Sequence, residues 1–382
     1  MRWLSAPPSM TAGGLRLPSR AARPYQRAMD DRSDRAAALV AEGEALVRAG
    51  RLNEAEALLL EAGAIAPTFG GLQALGHLRQ LFGDFEAAEA WFRRALALDP
   101  GSALARASLG TALLGQGRWA EGFAEHDAWR RVADDELDPA PELGLPLWSG
   151  EPLAGKNVLV WGEEGLGDQI MHARFAPLLR DAGAEVTWVC PPALRRLVSE
   201  GLGMTAIPRG GTLEIAGADY LAPSSRLPAT FMGTMAQPPP APYLAPPRPN
   251  RAPGLTLGVM ARGNPIHDND RNRSLTPEAA AALMALPGAV SLAPEETGAR
   301  DFWDTAGIVM GLELVITVDT SVGHLAGALG KPVWTLLPAI GSDWRWLRNR
   351  SDSPWYGSMR LFRQRAPGDW LGVIAEVKAA LG

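Results

Sequence analysis

Residues 315–330 constrain the fold of this chain more than any other stretch. Val315, Ile316, Thr317 and Val318 are apolar or β-branched and run without a break into Asp319 and Thr320. Ser321 and Gly323 follow, then His324 and the small apolar residues Leu325, Ala326 and Ala328. A short apolar run of this kind fits a parallel strand buried on both faces, and the Ala-rich segment fits a helix packed back onto it. The predicted class is therefore α/β in this part of the chain. The first amides of such a helix have no partner within it and carry partial positive charge, so its start is a seat for a phosphate or another anion. Asp319, Thr320, Ser321 and His324 frame that seat.

The amino-terminal third reads differently. Gly43, Gly76 and Gly110 recur in the first helix of three helical pairs, and Ala55 with Ala62 is repeated by Ala88 with Ala95 in the second helices. Pro67 and Pro100 close two units 33 residues apart, the period of tetratricopeptide repeats (TPR). Small residues let paired helices approach closely, and a closing proline stops the second helix because it lacks an N–H. Residues 34–133 are thus expected to form a TPR α-solenoid. Residues 1–33, with five arginines before the first acid, read as a disordered extension, an organelle-type targeting peptide being the alternative, and 134–156 as a linker. Trp119 and Phe123 in the third unit are expected to pack against the next domain, since aromatics at helical spacing usually serve a core.

Two α/β lobes are expected after the linker, at 157–245 and 254–382. In the first, the strand Asn157 to Trp161 runs through Gly162, Gly165 and Gly167 to Asp168. The order G-x-x-G-x-G differs from the dinucleotide fingerprint G-x-G-x-x-G, which argues against a nicotinamide-dependent oxidoreductase. Asp168 has two readings: a carboxylate stabilised at a helix start, or a general base at the mouth of a cleft. His172 stands one turn later on the same face. In the second lobe, residues 261–274 hold Asn264, His267, Arg271 and Arg273 in a loop expected at a strand's carboxyl end, where open α/β sheets bind ligands. Arg271 or Arg273 can clamp a diphosphate with a planar fork of donors. Glu295 can accept hydrogen bonds from sugar hydroxyls or simply mark a helix start.

Three segments together, 162–168, 263–274 and 317–330, resemble those of heptosyltransferase-type (glycosyltransferase family 9-like) enzymes linked to TPR arrays. The resemblance spans most of residues 35–380. It implies a GT-B-like pair of Rossmann-like lobes, with the acceptor on the first and a nucleotide-diphosphate sugar on the second. It implies Asp168 as the catalytic base, with Gly165, Gly167 and His172 on the acceptor side. Asn264, Arg271, Arg273, Glu295, Asp319, Thr320, Ser321 and His324 are implied as donor-binding. The expected activity is transfer of a sugar to a protein or glycan, inverting and metal-independent, with no cofactor beyond the sugar nucleotide. The first lobe is short, and Ala293-Pro294-Glu295 departs from the family pattern. The rival expectation is accordingly a non-catalytic TPR scaffold with a degenerate transferase fold.

Bulk properties narrow the class. A net charge of −5 argues against a protein built to grip nucleic acid. One cysteine, Cys190, excludes an intramolecular disulfide and fits a cytoplasmic location. No run reaches the roughly 18 apolar residues of a membrane span. A partner protein bound through the repeats is the remaining expectation.

Overall fold

The computed structural model describes residues 19–130, 143–210, 215, 217–249 and 257–382. It divides into two compact units, Met1–Leu75 and Gly76–Gly382. The first holds α1 (Ser19–Arg48), α2 (Leu52–Ile65) and the start of α3 (Phe69–Leu81). Helix α1 begins inside the segment expected to be an extension; residues 1–18 and 134–142 lie outside the described residues. Gly43 lies against Leu59: a Cβ there would stand 2.9 Å from its Cδ2.

The second unit opens with the rest of α3 and with α4 (Phe85–Leu98), α5 (Ala103–Gly115) and α6 (Trp119–Arg130). Asp84 and Ser102 cap α4 and α5 by accepting from Ala87 and Ala105 N–H, each at 3.2 Å. Gly76 lies against Phe92 and Gly110 against the backbone of His126, at the same offset as Gly43 from Leu59. The repeated glycines thus mark repeated helix crossings. Gly122, where the earlier units have Ala88 and Ala55, has a physical reason: a Cβ would meet the Leu114 amide nitrogen at 2.9 Å. His77, a lone helical histidine, is bonded to Ser108 Oγ at 2.9 Å.

Two parallel sheets follow. The first contains β1 (Asn157–Trp161), β2 (Glu185–Cys190), β3 (Thr205–Pro208) and β4 (Tyr220–Pro223), in the order β3-β2-β1-β4. Helices α7 (Leu166–His172), α8 (Ala176–Asp181) and α9 (Leu227–Met232) accompany it. The second contains β5 (Leu257–Met260), β6 (Ala289–Ser291), β7 (Leu314–Val318), β8 (Val333–Leu337) and β9 (Met359–Arg363), in the order β6-β5-β7-β8-β9. Its helices are α10 (Asp270–Arg273), α11 (Pro277–Met284), α12 (Pro294–Thr297), α13 (Phe302–Gly311), α14 (Ser321–Ala328) and α15 (Trp370–Leu381). Strands β4 and β9 were not expected from the sequence. The connector joins the first sheet through a bridge from Leu147 to Leu221, and Trp148 is buried against Phe231.

Each sheet reverses its winding direction once. In the first, β1 lies between β2 and β4, with Trp161 beside Pro223. In the second, β5 lies between β6 and β7, with Met260 beside Thr317. The loops leaving the two strands at such a point diverge and leave a crevice. Here those loops are 162–165 with 224–226, and 261–269 with 319–320.

One continuous apolar core joins Trp119 and Phe123 to Val160 and Trp188, and on to Val315, Ala326 and Trp355. The expectation for the third-unit aromatics is met: Trp119 lies 5.2 Å from Trp355, and Phe123 5.8 Å from Trp344. Arg174 is sunk into this core at 1% exposure. It donates to the carbonyls of Met171, Pro239 and Trp355 at 3.0, 2.9 and 3.0 Å, and lies 5 Å or less from the rings of Tyr243, Trp355 and Tyr356. A delocalised cation surrounded by carbonyls and π faces tolerates this depth better than an ammonium would.

Candidate functional site

The site is built from the starts of two helices. Strand β7 ends at Val318, and Thr320 enters α14 in extended geometry with φ −144°. The Thr320 hydroxyl does not cap the helix; it bonds to Thr317 Oγ1 at 2.9 Å. The first amides of α14 are therefore left without a side-chain cap. Helix α7 starts at Leu166 after a turn in which Glu164 adopts the left-handed conformation, φ 65°. A non-glycine residue held there stores local strain, a feature common at functional loops. Gly167 is what lets the two helix starts meet: a Cβ would stand 3.0 Å from His324 Cδ2 and 3.5 Å from Ser321 Cα.

Between them lies a cavity of about 480 Å³. Gly165, Gly167, Asp168, Asn264, Arg273, Asp319, Thr320, Ser321 and His324 all line it, so the three segments singled out in the sequence converge. A second cavity of about 1000 Å³ adjoins it and shares Asn264, Thr320 and Ser321. Glu295 lines this second cavity with Arg262, Met284 and Ser291. It sits in α12 and is exposed.

Three expected roles change with the geometry. His172 is buried at 3% exposure and does not line the cavity, because α7 turns it inward. Arg271 is exposed and lines neither cavity. Arg273 reaches the cavity wall, yet it braces the loop, with Nε 3.1 Å from Asp270 and one Nη donating to the Asp319 carbonyl at 3.1 Å.

The electrostatics are unusual for an anion seat. Asp168 accepts from the Gly165 amide at 3.1 Å and is ion-paired to Arg345. Arg345 also binds Asp343 at 2.9 Å. Burial pushes the Asp168 carboxyl up, Arg345 opposes this, and Glu164 and Asp343 add to it. Asp319 is pushed up to about 6 by burial and by repulsion from Asp343, against a 2.8 Å hydrogen bond from the Trp346 indole. His324 is held well below its usual value by burial, hence neutral; its Nδ1 is 2.9 Å from the Tyr356 hydroxyl and its ring stacks on Trp346. Arg345 keeps its proton despite burial, because Asp343 and Asp168 face it.

Sequence reasoning missed Arg345, Asp343 and Asn269 as lining residues. They come from the turn at 341–346 and from a loop asparagine whose amide donates to the Gly341 carbonyl at 2.8 Å. The signal available was the Asp343-Trp344-Arg345-Trp346 cluster, with charges set between large aromatics. Among the described residues, no group of three or more His, Cys, Asp or Glu side chains is placed to hold a metal ion. Likewise no described helix is long and apolar enough to cross a membrane.

No family model matches the chain. Protein FlbA of Caulobacter vibrioides is 27% identical over 359 residues, an alignment that covers 78% of this chain and 59% of that protein. The chain thus spans less than two thirds of that relative's length. Among solved structures, a glycosyl transferase family 9 protein from Veillonella parvula matches at TM-score 0.41 and 11% identity, over 60% of this chain and 91% of the other. The E. coli heptosyltransferase WaaC with ADP matches at 0.41 and 14%, over 59% and 98%. An O-GlcNAc transferase from Thermobaculum terrenum spans 91% of this chain and 90% of its own, at TM-score 0.26 and 17% identity.

Proposed function

We propose that this protein is a glycosyltransferase that moves a sugar from a nucleotide-diphosphate sugar to a protein or glycan acceptor, with inversion and without a metal ion or other cofactor. The reading adopts GT-B-like lobes and a TPR-like array that carries or recruits the acceptor. The observation that carries it is the pair of facing helix starts around one cavity. Uncapped α14 amides lie on one wall and the Asp168 carboxylate on the other.

In this reading the diphosphate sits at the start of α14, where amide dipoles stabilise negative charge as it develops on the leaving group. The nucleoside extends into the adjoining cavity, where Glu295 is available to a ribose hydroxyl and Asn264 stands at the junction. Asp168 takes the acceptor proton. The acceptor oxygen bonds to the anomeric carbon as the bond from that carbon to the diphosphate breaks, the electron pair leaving with the diphosphate. Burial favours this role, because a raised carboxyl is a stronger base than a solvated one.

The test is transfer or donor hydrolysis with a panel of sugar nucleotides, preceded by thermal-shift screening of ADP, UDP, GDP and CDP. Asp168→Asn is expected to lower turnover by roughly 10²–10⁴-fold, the usual weight of a positioned base. Full turnover in that variant removes Asp168 from the chemistry. The ion pair between Asp168 and Arg345 favours a second reading, a non-catalytic scaffold whose base is permanently neutralised. Diphosphate binding without any transfer or hydrolysis would select it.

A further inference from the structure

Arg345 lines the cleft with part of its donor capacity unspent. It is 9% exposed, lines the cavity, and comes from the tight turn Trp344–Trp346. Its Nε donates to Met171 Sδ at 3.1 Å, one Nη to Asp343 at 2.9 Å, and the other to Asp168. A guanidinium has five N–H groups, so these bonds leave two unspent. No backbone carbonyl holds it, in contrast to Arg174, which three carbonyls fix in place.

The Arg345 amide donates to Asp343 at 2.9 Å, and further bonds outside the ion pairs secure the backbone of the turn. Trp346 is bonded to Asp319, and its carbonyl accepts from Arg363 at 2.7 Å. Trp344 packs within about 6 Å of Trp119, Phe123 and Trp355. The Gly341 amide donates to the Leu81 carbonyl at 2.8 Å, which ties the turn to the helical array. The side chain can therefore change partners while its turn stays put. A planar fork of donors matches phosphate oxygens as well as it matches a carboxylate.

We propose that Arg345 is a latch shared between Asp168 and the donor's diphosphate. With the cavity empty it pairs with Asp168. With a diphosphate at the start of α14 it turns its donors to the phosphate oxygens, and Asp168 is released to accept the acceptor's proton. Donor binding then precedes activation of the base, and the ion pair is a resting state rather than a sign of lost activity. Arg345 is a positioning residue for Asp168 as well as a diphosphate contact. The latch rests on the donor-binding reading above.

The two are separated by calorimetric titration of the full chain with ADP, UDP, GDP and CDP. The proteins compared are wild type, Asp168→Asn, Arg345→Gln and the double variant, each checked for folding by thermal melting. Removing the competitor should tighten binding: Asp168→Asn is expected to bind the preferred diphosphate roughly three-fold or more tighter than wild type. Arg345→Gln should bind it about ten-fold or more weaker, the scale of a hydrogen bond to a charged group. In the Arg345→Gln background, Asp168→Asn should no longer tighten binding. Should Arg345→Gln fail to fold, Arg345→Lys takes its place, keeping the charge and losing the fork. Binding by wild type with no tightening in Asp168→Asn overturns the latch alone. Absence of binding by both proteins overturns the donor site and the latch together.

Discussion

Asp319→Asn offers the sharpest thermodynamic test of the cleft. The Asp319 carboxyl is raised from 3.8 to about 6, chiefly by burial and then by Asp343. At about 1.4 kcal/mol per unit, ionising it in the folded protein costs roughly 3 kcal/mol, or about 2 after allowance for its partial exposure. The sign follows from proton counting. Between about pH 4 and 6 the folded protein holds a proton that the unfolded chain has lost. Stability contributed by this residue therefore falls as pH rises through that window, and is flat above it. An amide never ionises and still offers an oxygen to the Trp346 indole. Asp319→Asn is thus expected to be about 2–3 kcal/mol more stable than wild type at pH 7.5, about half that at pH 5, and nearly equal at pH 4. For a unit of this size the gain at pH 7.5 corresponds to a Tm increase on the order of 5 °C. Calorimetric melts at the three pH values supply the measurement. No gain at pH 7.5, or a gain that does not shrink with acid, would refute the view that a buried, repelled carboxylate sits at the start of α14. Such a cost is what a binding site retains when function, rather than stability, has set its residues.

Two further substitutions probe the packing that shapes the site. Arg174→Lys keeps the charge but offers a point cation to three carbonyls and three rings; a loss of roughly 2–4 kcal/mol is expected in thermal or denaturant unfolding, and a neutral outcome would show that the buried fork is not needed. Gly167→Ala places a Cβ 3.0 Å from His324, which Trp346 and Tyr356 hold from behind. A cost of about 1–2 kcal/mol follows from the overpacking, and unchanged melting would mean that the two helix starts separate freely.

Local pattern carried much of the fold. Strands β1 and β2 have the limits their residues imply, because a short, mostly apolar run between turn residues has few other solutions. The repeat period placed Gly43, Gly76 and Gly110 at helix crossings. Strands β4 and β9 were not anticipated: Tyr220-Leu221-Ala222-Pro223 and Met359-Arg360-Leu361-Phe362-Arg363 are short strands at the sheet edges, each held by a single neighbouring strand. In the site, Asp168, Asp319, Thr320, Ser321 and His324 were legible because each stands where a strand hands over to a helix. His172 misled because sharing a helical face in sequence says nothing of which way that face turns.

What the sequence determined by itself is the set of strand-to-helix junctions and the residues placed at them, since backbone sterics, apolar period and helix-end chemistry act over a few residues. Tertiary structure alone decided which charges meet. Asp168 and Arg345 lie 177 residues apart, and their pairing depends on two sheets, a shared core and a turn wedged between tryptophans. Electrostatic energy in a buried cleft is set by distance in space and by exclusion of water, and neither quantity is written in the order of the residues.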